Sequence, residues 1–226
     1  MIPLRDSTRS RNFPLVTVIL IALNFYIYFQ QATSSPWQME QLILTYGFTP
    51  ALLTERVQAF SFLGFFYLPL LTATFLHGSW FHVISNMLYL WIFGDNIEDR
   101  LGHLRFLFFY LFTGIAANLI YYVTAVNSPI PLVGASGAIA GILGAYFITF
   151  PKAKITTLFF IFIFIFLREI PAVFFLLLWF IIQIFNGVFN AGTTGSSVAW
   201  WAHIGGFITG FILMPFLKKK NRQNLF

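Results

Sequence analysis

Long apolar stretches, separated by short polar or charged ones, are the most regular pattern in this sequence. Most of them are close to the roughly 20 residues that an α-helix needs to cross a bilayer. The clearest cover residues 14–30, 80–97, 106–126, 132–150 and 198–217. The pattern therefore predicts an all-α, polytopic membrane protein built as a bundle of transmembrane helices.

A further apolar region is interrupted by charge. Arg168, Glu169 and Pro171 separate a first run at 155–167, which is too short to span a bilayer, from a second run at 172–185. One long broken span fits this pattern, and so does an interfacial piece followed by one span. Either interpretation brings the predicted total to six spans.

The segment between the first and second spans, residues 32–70, mixes polar residues with apolar patches. It carries Pro36, Glu40 and Arg56 beside an apolar run at 60–68. Such a segment is too polar to cross the membrane and too apolar to float free in water. We therefore predict an interfacial hairpin that lies partly in the membrane.

Basic residues near the ends of the apolar spans orient the chain. They predict a cytoplasmic N-terminal segment at 1–12, a membrane domain at 13–217 and a basic cytoplasmic tail at 218–226. In this orientation only Arg56 clearly falls on the outer side, as the positive-inside bias requires. A signal peptide is the rival interpretation of the first span, but no clear small-residue cleavage site follows it. Because no organelle-targeting segment is obvious, we predict a bacterial-type plasma membrane protein.

Composition supports a membrane protein and removes several classes of function. Of the 226 residues, 58% are hydrophobic and 9% are charged, whereas a soluble domain carries about 25% charged residues. The sequence contains no cysteine, which excludes disulfides, thiolate nucleophiles and cysteine metal sites. The net charge of +6 does not indicate a nucleic-acid partner, because the basic residues form no stripe interleaved with exposed aromatics.

The stretch at 132–150 has a bare helical face and a hydroxyl at its start, Ser136. The glycines that form this face recur at intervals of three or four residues: Gly134, Gly137, Gly141 and Gly144. In lipid, such a face lets another helix approach closely, because no side chain holds it away. Whichever helix packs there comes near the hydroxyl of Ser136.

The last span carries a second small-residue face. Ala202, Gly206 and Gly210 lie four residues apart, and His203 adjoins them. The spans that contain Ser136 and His203 run in the same direction, so both residues lie about one turn below the outer membrane surface. Taken singly, the serine is typical of a bond to its own helix backbone and the histidine of a contact between helices. Together at one depth they favour a serine–histidine pair, the minimum for an activated nucleophile.

The second span contributes two more polar residues at this depth. His82 and Asn86 are four apart and share a helical face, and their N–H groups suit an anion that develops on a substrate carbonyl. Zinc is the rival interpretation, since His77, His82 and His203 are able to converge, but the sequence has no HExxH motif. The acidic residues lie at the cytoplasmic end or in the hairpin. We therefore predict a dyad without an acidic third member, and no metal or cofactor.

In these motifs the sequence resembles the rhomboid family of intramembrane serine proteases. The likeness is carried, in the family's order, by His77, His82-x-x-x-Asn86, Gly134-Ala-Ser136-Gly and Ala202-His203-Ile-Gly-Gly. The resemblance implies Ser136 as nucleophile and His203 as general base. It also implies an oxyanion site made by His82, Asn86 and the Ser136 backbone N–H. The fold that it implies is a rhomboid-like bundle of six helices with a water-filled cavity open to the outer side.

Two positions depart from the family pattern. Some members carry Trp-Arg before the second span, where this sequence reads Tyr67-Leu68-Pro69. Many carry an aromatic residue one turn after the serine, against which the histidine ring stacks, and here that position is Ala140. We therefore expect another side chain to support His203, with Trp200 and Trp201 as the candidates near it in sequence.

The activity that follows is intramembrane endoproteolysis near the outer membrane surface. A single-span substrate helix approaches from the lipid beside residues 172–185, under the loop at 186–197, and unwinds to expose a carbonyl to Ser136. The alternative is a catalytically silent protein that binds membrane helices for quality control. That alternative predicts a missing reacting residue, and none is missing. A channel or transporter would show paired broken helices or an internal repeat, and the sequence has neither.

Overall fold

The computed structural model describes residues 2–60, 67–161, 164–189 and 199–218, and most of these residues are helical. The α-helices in this part of the chain are α1 Leu15–Thr33, α2 Pro36–Tyr46, α3 Pro50–Gln58, α4 Pro69–Thr72, α5 Trp80–Leu101, α6 His103–Thr124, α7 Ser136–Thr149, α8 Ala172–Phe189 and α9 Trp200–Leu217. The strands are β1 Ile2–Asp6, β2 Lys154–Ile161 and β3 Phe164–Pro171. Residues 190–197 of the predicted loop lie outside the described residues, and 186–189 extend α8.

Four of the described helices, α1, α6, α8 and α9, are long and apolar enough to cross a membrane. The prediction of a multi-pass membrane protein is therefore confirmed. α5 is also long, at 22 residues, but its last turns carry several charged side chains: Asp95, Glu98, Asp99 and Arg100. α7 is apolar but has only 14 residues.

The glycine-faced helix α7 lies at the centre of the bundle and packs most extensively against α9. Every residue from Gly137 to Tyr146 is buried. A Cβ atom at Gly206 would collide with the carbonyl of Gly137, and one at Gly210 with the carbonyl of Gly141. The two small-residue faces therefore meet backbone to backbone, as their spacing predicts.

A buried carboxylate joins three helices at the end of the bundle opposite Ser136. Glu98 of α5 is 1% exposed and accepts hydrogen bonds from the backbone N–H groups of Val16 and Thr17, both at 2.8 Å. These N–H groups belong to the first turn of α1 and have no acceptor within the helix. His103 of α6 contacts the same carboxylate through Nδ1 at 2.5 Å. The contacts fix the start of α1 against the turn between α5 and α6.

A small antiparallel sheet lies at this same end, and the all-α prediction missed it. β2 and β3 form a hairpin, and β1 pairs with β2, which gives the order β1–β2–β3. The described residues of the apolar run, 155–161 and 164–167, are therefore strand and not part of a broken span. Its phenylalanine, isoleucine and threonine residues favour strands. The prediction failed because periodicity alone does not distinguish a short apolar strand from a piece of buried helix.

The segment for which an interfacial hairpin is predicted, residues 32–70, contains α2, α3 and the start of α4, and its residues 61–66 lie outside the described part. Phe48, which lies between these helices, exchanges two backbone hydrogen bonds with Leu132, at 2.9 and 2.8 Å. The Thr72 hydroxyl donates to the Tyr46 carbonyl at 2.7 Å. The end of α2 and the residues after it are thus attached to α4 and to the loop that leads into α7.

Candidate active site

Ser136 is the first residue of α7, and a glycine just before it shapes the approach of the chain. Gly134 has φ +131°, which a residue with a side chain rarely adopts, and its N–H donates to the Ala73 carbonyl at 2.8 Å. A Cβ atom at this position would lie 2.8 Å from the His82 ring. As the first residue of the helix, Ser136 has a backbone N–H with no acceptor within α7. The hydroxyl of Ser136 and a backbone N–H that has no acceptor within α7 therefore lie on the same residue.

His203 of α9 lies against this hydroxyl. Its Nε2 is 2.8 Å from Ser136 Oγ. The contact follows from the packing of α7 on α9, since Ala202 and Gly206 flank His203 on the small-residue face. The structure thus brings together the two residues that the sequence pattern placed at one depth.

The second ring nitrogen of His203 contacts a residue that the sequence pattern did not single out. His203 Nδ1 is 2.8 Å from Oε1 of Gln183, on α8. Gln183 is only 4% exposed, and its Nε2 donates to the Trp179 carbonyl at 3.1 Å. Within the predicted span at 172–185 it is the one amide or hydroxyl side chain. A polar group of this kind inside a membrane span is the signal that would have identified it.

Two tryptophans flank the His203 ring in place of the missing aromatic at Ala140. Trp179 lies with its ring centroid 6.0 Å away and its plane tilted by 33°. Trp200 approaches edge-on at 6.1 Å. Of the candidates expected from sequence, Trp200 therefore contacts the histidine, whereas the Trp201 ring lies near Gly187. Ala140 itself is fully buried against α9. A Cβ atom at Gly206 of that helix would lie only 3.3 Å from the Ala140 Cβ.

His82 and Asn86 face the dyad across a cavity of about 560 Å³. The cavity is lined by residues from the loop before α5, from α5 and α6, from the loop before α7 and from the starts of α7 and α9: Gly78, Ser79, Phe81, His82, Ser85, Asn86, Tyr121, Ile130, Pro131, Leu132, Val133, Ser136, Ala199 and His203. Asn86 Nδ2 is buried and has no hydrogen-bond acceptor among the described residues. A buried amide donor without an acceptor is costly in a folded protein.

His77 lies behind His82 and does not line the cavity. It is fully buried, and its ring contacts His82 edge-on at 5.1 Å. Burial, with the nearby His82 as a smaller cause, lowers the pKa of His77 to about 3, so its ring is neutral at physiological pH. Within the described residues, no three histidine, cysteine, aspartate or glutamate side chains are grouped as metal ligands.

The described residues that line the cavity include no carboxylate. Glu98 is engaged with α1 at the other end of the bundle, and Asp6 is hydrogen-bonded to Tyr146 and Asn96 beside the sheet. Glu40 lies in α2 and Glu55 in α3. The position that an acid occupies in a Ser–His–Asp triad, next to Nδ1 of the histidine, is held here by the amide of Gln183.

Comparison with known proteins identifies the family to which these motifs belong. Residues 65–220 match the Rhomboid domain model. Rhomboid-like protein 11, chloroplastic, of Arabidopsis thaliana is 42% identical over 71 residues, or 31% of this chain and 25% of that protein. The human Presenilin-associated rhomboid-like protein, mitochondrial, is 38% identical over 93 residues, or 40% of this chain and 24% of that protein. Rhomboid protein 1, mitochondrial, of Saccharomyces cerevisiae is 38% identical over 87 residues, or 37% and 25%. The match thus covers about a quarter of each of these relatives.

These relatives also correct the predicted location. They are mitochondrial or chloroplastic by name, so the prediction of a bacterial-type plasma membrane protein with cytoplasmic termini is wrong. It depended on the lack of a recognisable targeting segment, and such a lack does not identify a compartment. The distribution of basic residues around the spans gives an orientation relative to the bilayer and does not identify the organelle.

Proposed function

The chain belongs to the rhomboid family, and from that premise we propose that it is an intramembrane serine endopeptidase that cleaves transmembrane-helix substrates. The observation that carries the proposal is the 2.8 Å contact between Ser136 Oγ and His203 Nε2 at the wall of a cavity inside a membrane protein. A serine hydroxyl is a weak nucleophile unless an adjacent base takes its proton. His203 is placed to take that proton, and the chemistry needs neither metal nor cofactor.

Peptide-bond cleavage by this dyad proceeds through an acyl-enzyme. Ser136 Oγ attacks the substrate carbonyl carbon while His203 Nε2 takes the hydroxyl proton. The imidazolium that results gives this proton to the leaving amine nitrogen as the C–N bond breaks. Water then enters and attacks the ester carbon while it loses a proton to His203. The imidazolium returns this proton to Ser136 Oγ as the bond between the carbon and Oγ breaks, which releases the carboxyl product and restores the serine.

The oxyanion formed in each attack needs hydrogen-bond donors that are already in position. We assign this role to the Nδ2 group of Asn86, a ring N–H of His82 and the backbone N–H of Ser136. Two observations support the assignment: Asn86 Nδ2 has no acceptor among the described residues, and the Ser136 N–H, in the first turn of α7, has none within that helix. A helix N-terminus further favours negative charge at this point.

The proposed arrangement in the bilayer has six spans: α1, α5, α6, α7, α8 and α9. The 14 residues of α7 extend about 21 Å, less than the roughly 30 Å of the hydrocarbon core. Ser136 therefore lies below the membrane surface, and the cavity supplies the water for hydrolysis. The α2–α3 hairpin lies at the interface on this side, within a membrane domain at 13–217.

The substrates proposed for this site are single-span membrane proteins that approach from the lipid beside α8. The carbonyl groups of a helix are already hydrogen-bonded, so the segment to be cut must unwind before Ser136 reaches it. Segments with helix-breaking residues near the membrane surface at the Ser136 end are therefore the expected cleavage sites.

A cleavage assay with purified protein in liposomes tests the proposal. A tagged single-span protein is added, and mass spectrometry maps any cut. We expect one cut near the membrane surface, its loss in Ser136→Ala, and its retention in Ser85→Ala, which removes another hydroxyl from the same cavity. Equal cleavage by wild type and Ser136→Ala would overturn the assignment of the nucleophile. Binding of the helix without any cut would favour the silent helix-binding alternative.

A further inference from the structure

We propose that Gln183 of α8 is a positioning residue that fixes His203 in its Nδ1–H tautomer and thereby orients the dyad. The role rests on the proposed function, but the hydrogen bonds that define it are properties of the resting protein. Gln183 contacts the ring nitrogen that faces away from Ser136. It acts through the histidine and does not line the cavity.

The orientation of the Gln183 amide is set by its own helix. Its nitrogen lies 3.1 Å from the carbonyl oxygen of Trp179, one turn earlier in α8. A carbonyl oxygen only accepts hydrogen bonds, so the group facing Trp179 must be the NH₂. The amide oxygen, Oε1, must then face His203.

The tautomer of the neutral histidine follows from this orientation. Because Oε1 of Gln183 only accepts, Nδ1 of His203 must carry the proton. Nε2 then has a free lone pair that points at Ser136 Oγ, 2.8 Å away. The Ser136 hydroxyl donates to that lone pair, which is the arrangement that general-base activation requires. A continuous chain of hydrogen bonds thus runs from the serine through His203 and Gln183 to the backbone of α8.

Burial protects these hydrogen bonds from competition with water. Gln183 is 4% exposed, so no water competes freely for its oxygen, and a buried amide without partners is costly. The same turn of α8 supplies Trp179, whose ring lies beside the imidazole. α8 therefore provides two supports for His203. The hydrogen-bond acceptor of Gln183 stands where a triad has its acid, and the ring of Trp179 replaces the aromatic residue that many family members carry one turn after the serine.

Two variants of Gln183 separate positioning from packing. Gln183→Met keeps the length of the side chain but has no strong acceptor, whereas Gln183→Glu keeps an acceptor oxygen. Ile182→Met, on the neighbouring lipid-exposed face, is the matched control. The rate of Ser136 labelling by a fluorophosphonate should fall on the order of 10- to 100-fold in Gln183→Met and stay near the wild-type rate in Gln183→Glu and Ile182→Met. The thermal unfolding midpoints of Gln183→Met and wild type should differ by no more than a few degrees.

The ¹⁵N NMR spectrum of histidine-labelled protein gives a readout that does not depend on activity. With the His203 signals assigned from their absence in His203→Ala, wild type should show a protonated Nδ1, and Gln183→Met should show a mixture of tautomers. A protonated Nε2 in the wild type, or equal labelling in Gln183→Met and Ile182→Met, would overturn the proposal. A protonated Nδ1 in a protein that cleaves no substrate would support the tautomer and count against the proposed protease function alone.

Discussion

Asn86 is the single residue on which the proposed oxyanion site most depends. Its side-chain NH₂ is buried in a membrane protein and has no acceptor among the described residues, a state that ordinarily destabilises a fold. It lies on α5, one turn after His82, and both line the cavity beside Ser136. The loss of stability from this unpaired donor in the resting protein is understandable if an anionic oxygen accepts its hydrogen bond during the reaction.

The first prediction concerns this donor. Asn86→Ala should lower kcat by about 10²–10³, the usual effect of removing one oxyanion donor, with little change in KM. Stability should change little through this amide nitrogen, because it has no partner to lose. Steady-state cleavage kinetics in liposomes measure the effect, with Ser85→Ala as the control in the same cavity. A raised KM at unchanged kcat would instead mean that Asn86 binds the substrate and not its transition state.

The residues of the dyad and those that support it differ in how far sequence predicts them. Ser136 and His203 stand out because polar groups are rare on small-residue helix faces, and their common depth follows from span direction. Gln183 and Trp179 do not stand out in the same way. Gln183 is the single polar side chain of the predicted span at 172–185, and the apolar residues around it form no distinct stripe, so periodicity does not reveal which face of α8 turns toward His203.

The contact between α7 and α9 governs the site at the scale of secondary-structure elements. Ser136 and His203 lie side by side only because the two backbones approach very closely. At Gly206 and Gly210 the α7 backbone occupies the space that a Cβ atom would need. A side chain in place of Gly206 or Gly210 would move the helices apart, and the distance between the hydroxyl and the imidazole would grow with them.

Gly206→Ala should therefore destabilise the protein by about 1–3 kcal/mol or more, because the added methyl group meets the Gly137 carbonyl and neither backbone is able to move freely. Activity should fall further than the loss of folded protein explains. Gly78→Ala is the control, since a Cβ atom there meets nothing within 4 Å. Thermal unfolding in detergent gives the comparison. Equal midpoints for the two variants would contradict the close packing of α7 on α9.

The sheet shows where prediction from sequence ends at this scale. The small-residue spacing was sufficient to predict that α7 and α9 pack together. The pairing of β1 with β2 joins residues from opposite parts of the chain, and no local pattern specifies such a partner. The apolar run at 155–167 also has the composition of a short membrane segment, and only its long-range pairing distinguishes it.

Asp6, at the end of β1, gives a pH prediction for the sheet. It accepts a hydrogen bond from the Tyr146 hydroxyl and one from Asn96 Nδ2 at 3.0 Å, and burial raises its pKa above the ordinary value of 3.8. The folded state therefore holds this proton more tightly than the unfolded state, so the contribution of Asp6 to stability falls as the pH rises above about 3.8 through the raised pKa.

Asp6→Asn keeps an acceptor oxygen and removes the buried charge. Its thermal midpoint relative to wild type should consequently improve as the pH increases from about 4 to about 7. Differential scanning fluorimetry in detergent across this range gives the measurement. If the thermal midpoint of Asp6→Asn instead falls relative to that of wild type as the pH rises, the folded protein favours the charged carboxylate.

At the scale of the whole molecule, the proposed function requires a fold that keeps water and a nucleophile inside a lipid environment. Glu98 holds α1, α5 and α6 together at one end of the bundle, and the residues after α2 are attached to the loop before α7 at the other. Hydropathy predicted the multi-pass architecture, since backbone groups in lipid must be paired within helices. Hydropathy does not indicate in which cellular membrane the protein lies, and the prediction of a bacterial-type plasma membrane was wrong.

The central claim, that His203 activates Ser136 for nucleophilic attack, is tested most directly by chemical labelling in liposomes. The protein is treated with a fluorophosphonate, digested and mapped by mass spectrometry. We expect an adduct on Ser136 of the wild type, and its near absence in His203→Ala, where the serine is present but has no base. An unlabelled Ser136 in the wild type, or equal labelling with and without His203, would contradict the account.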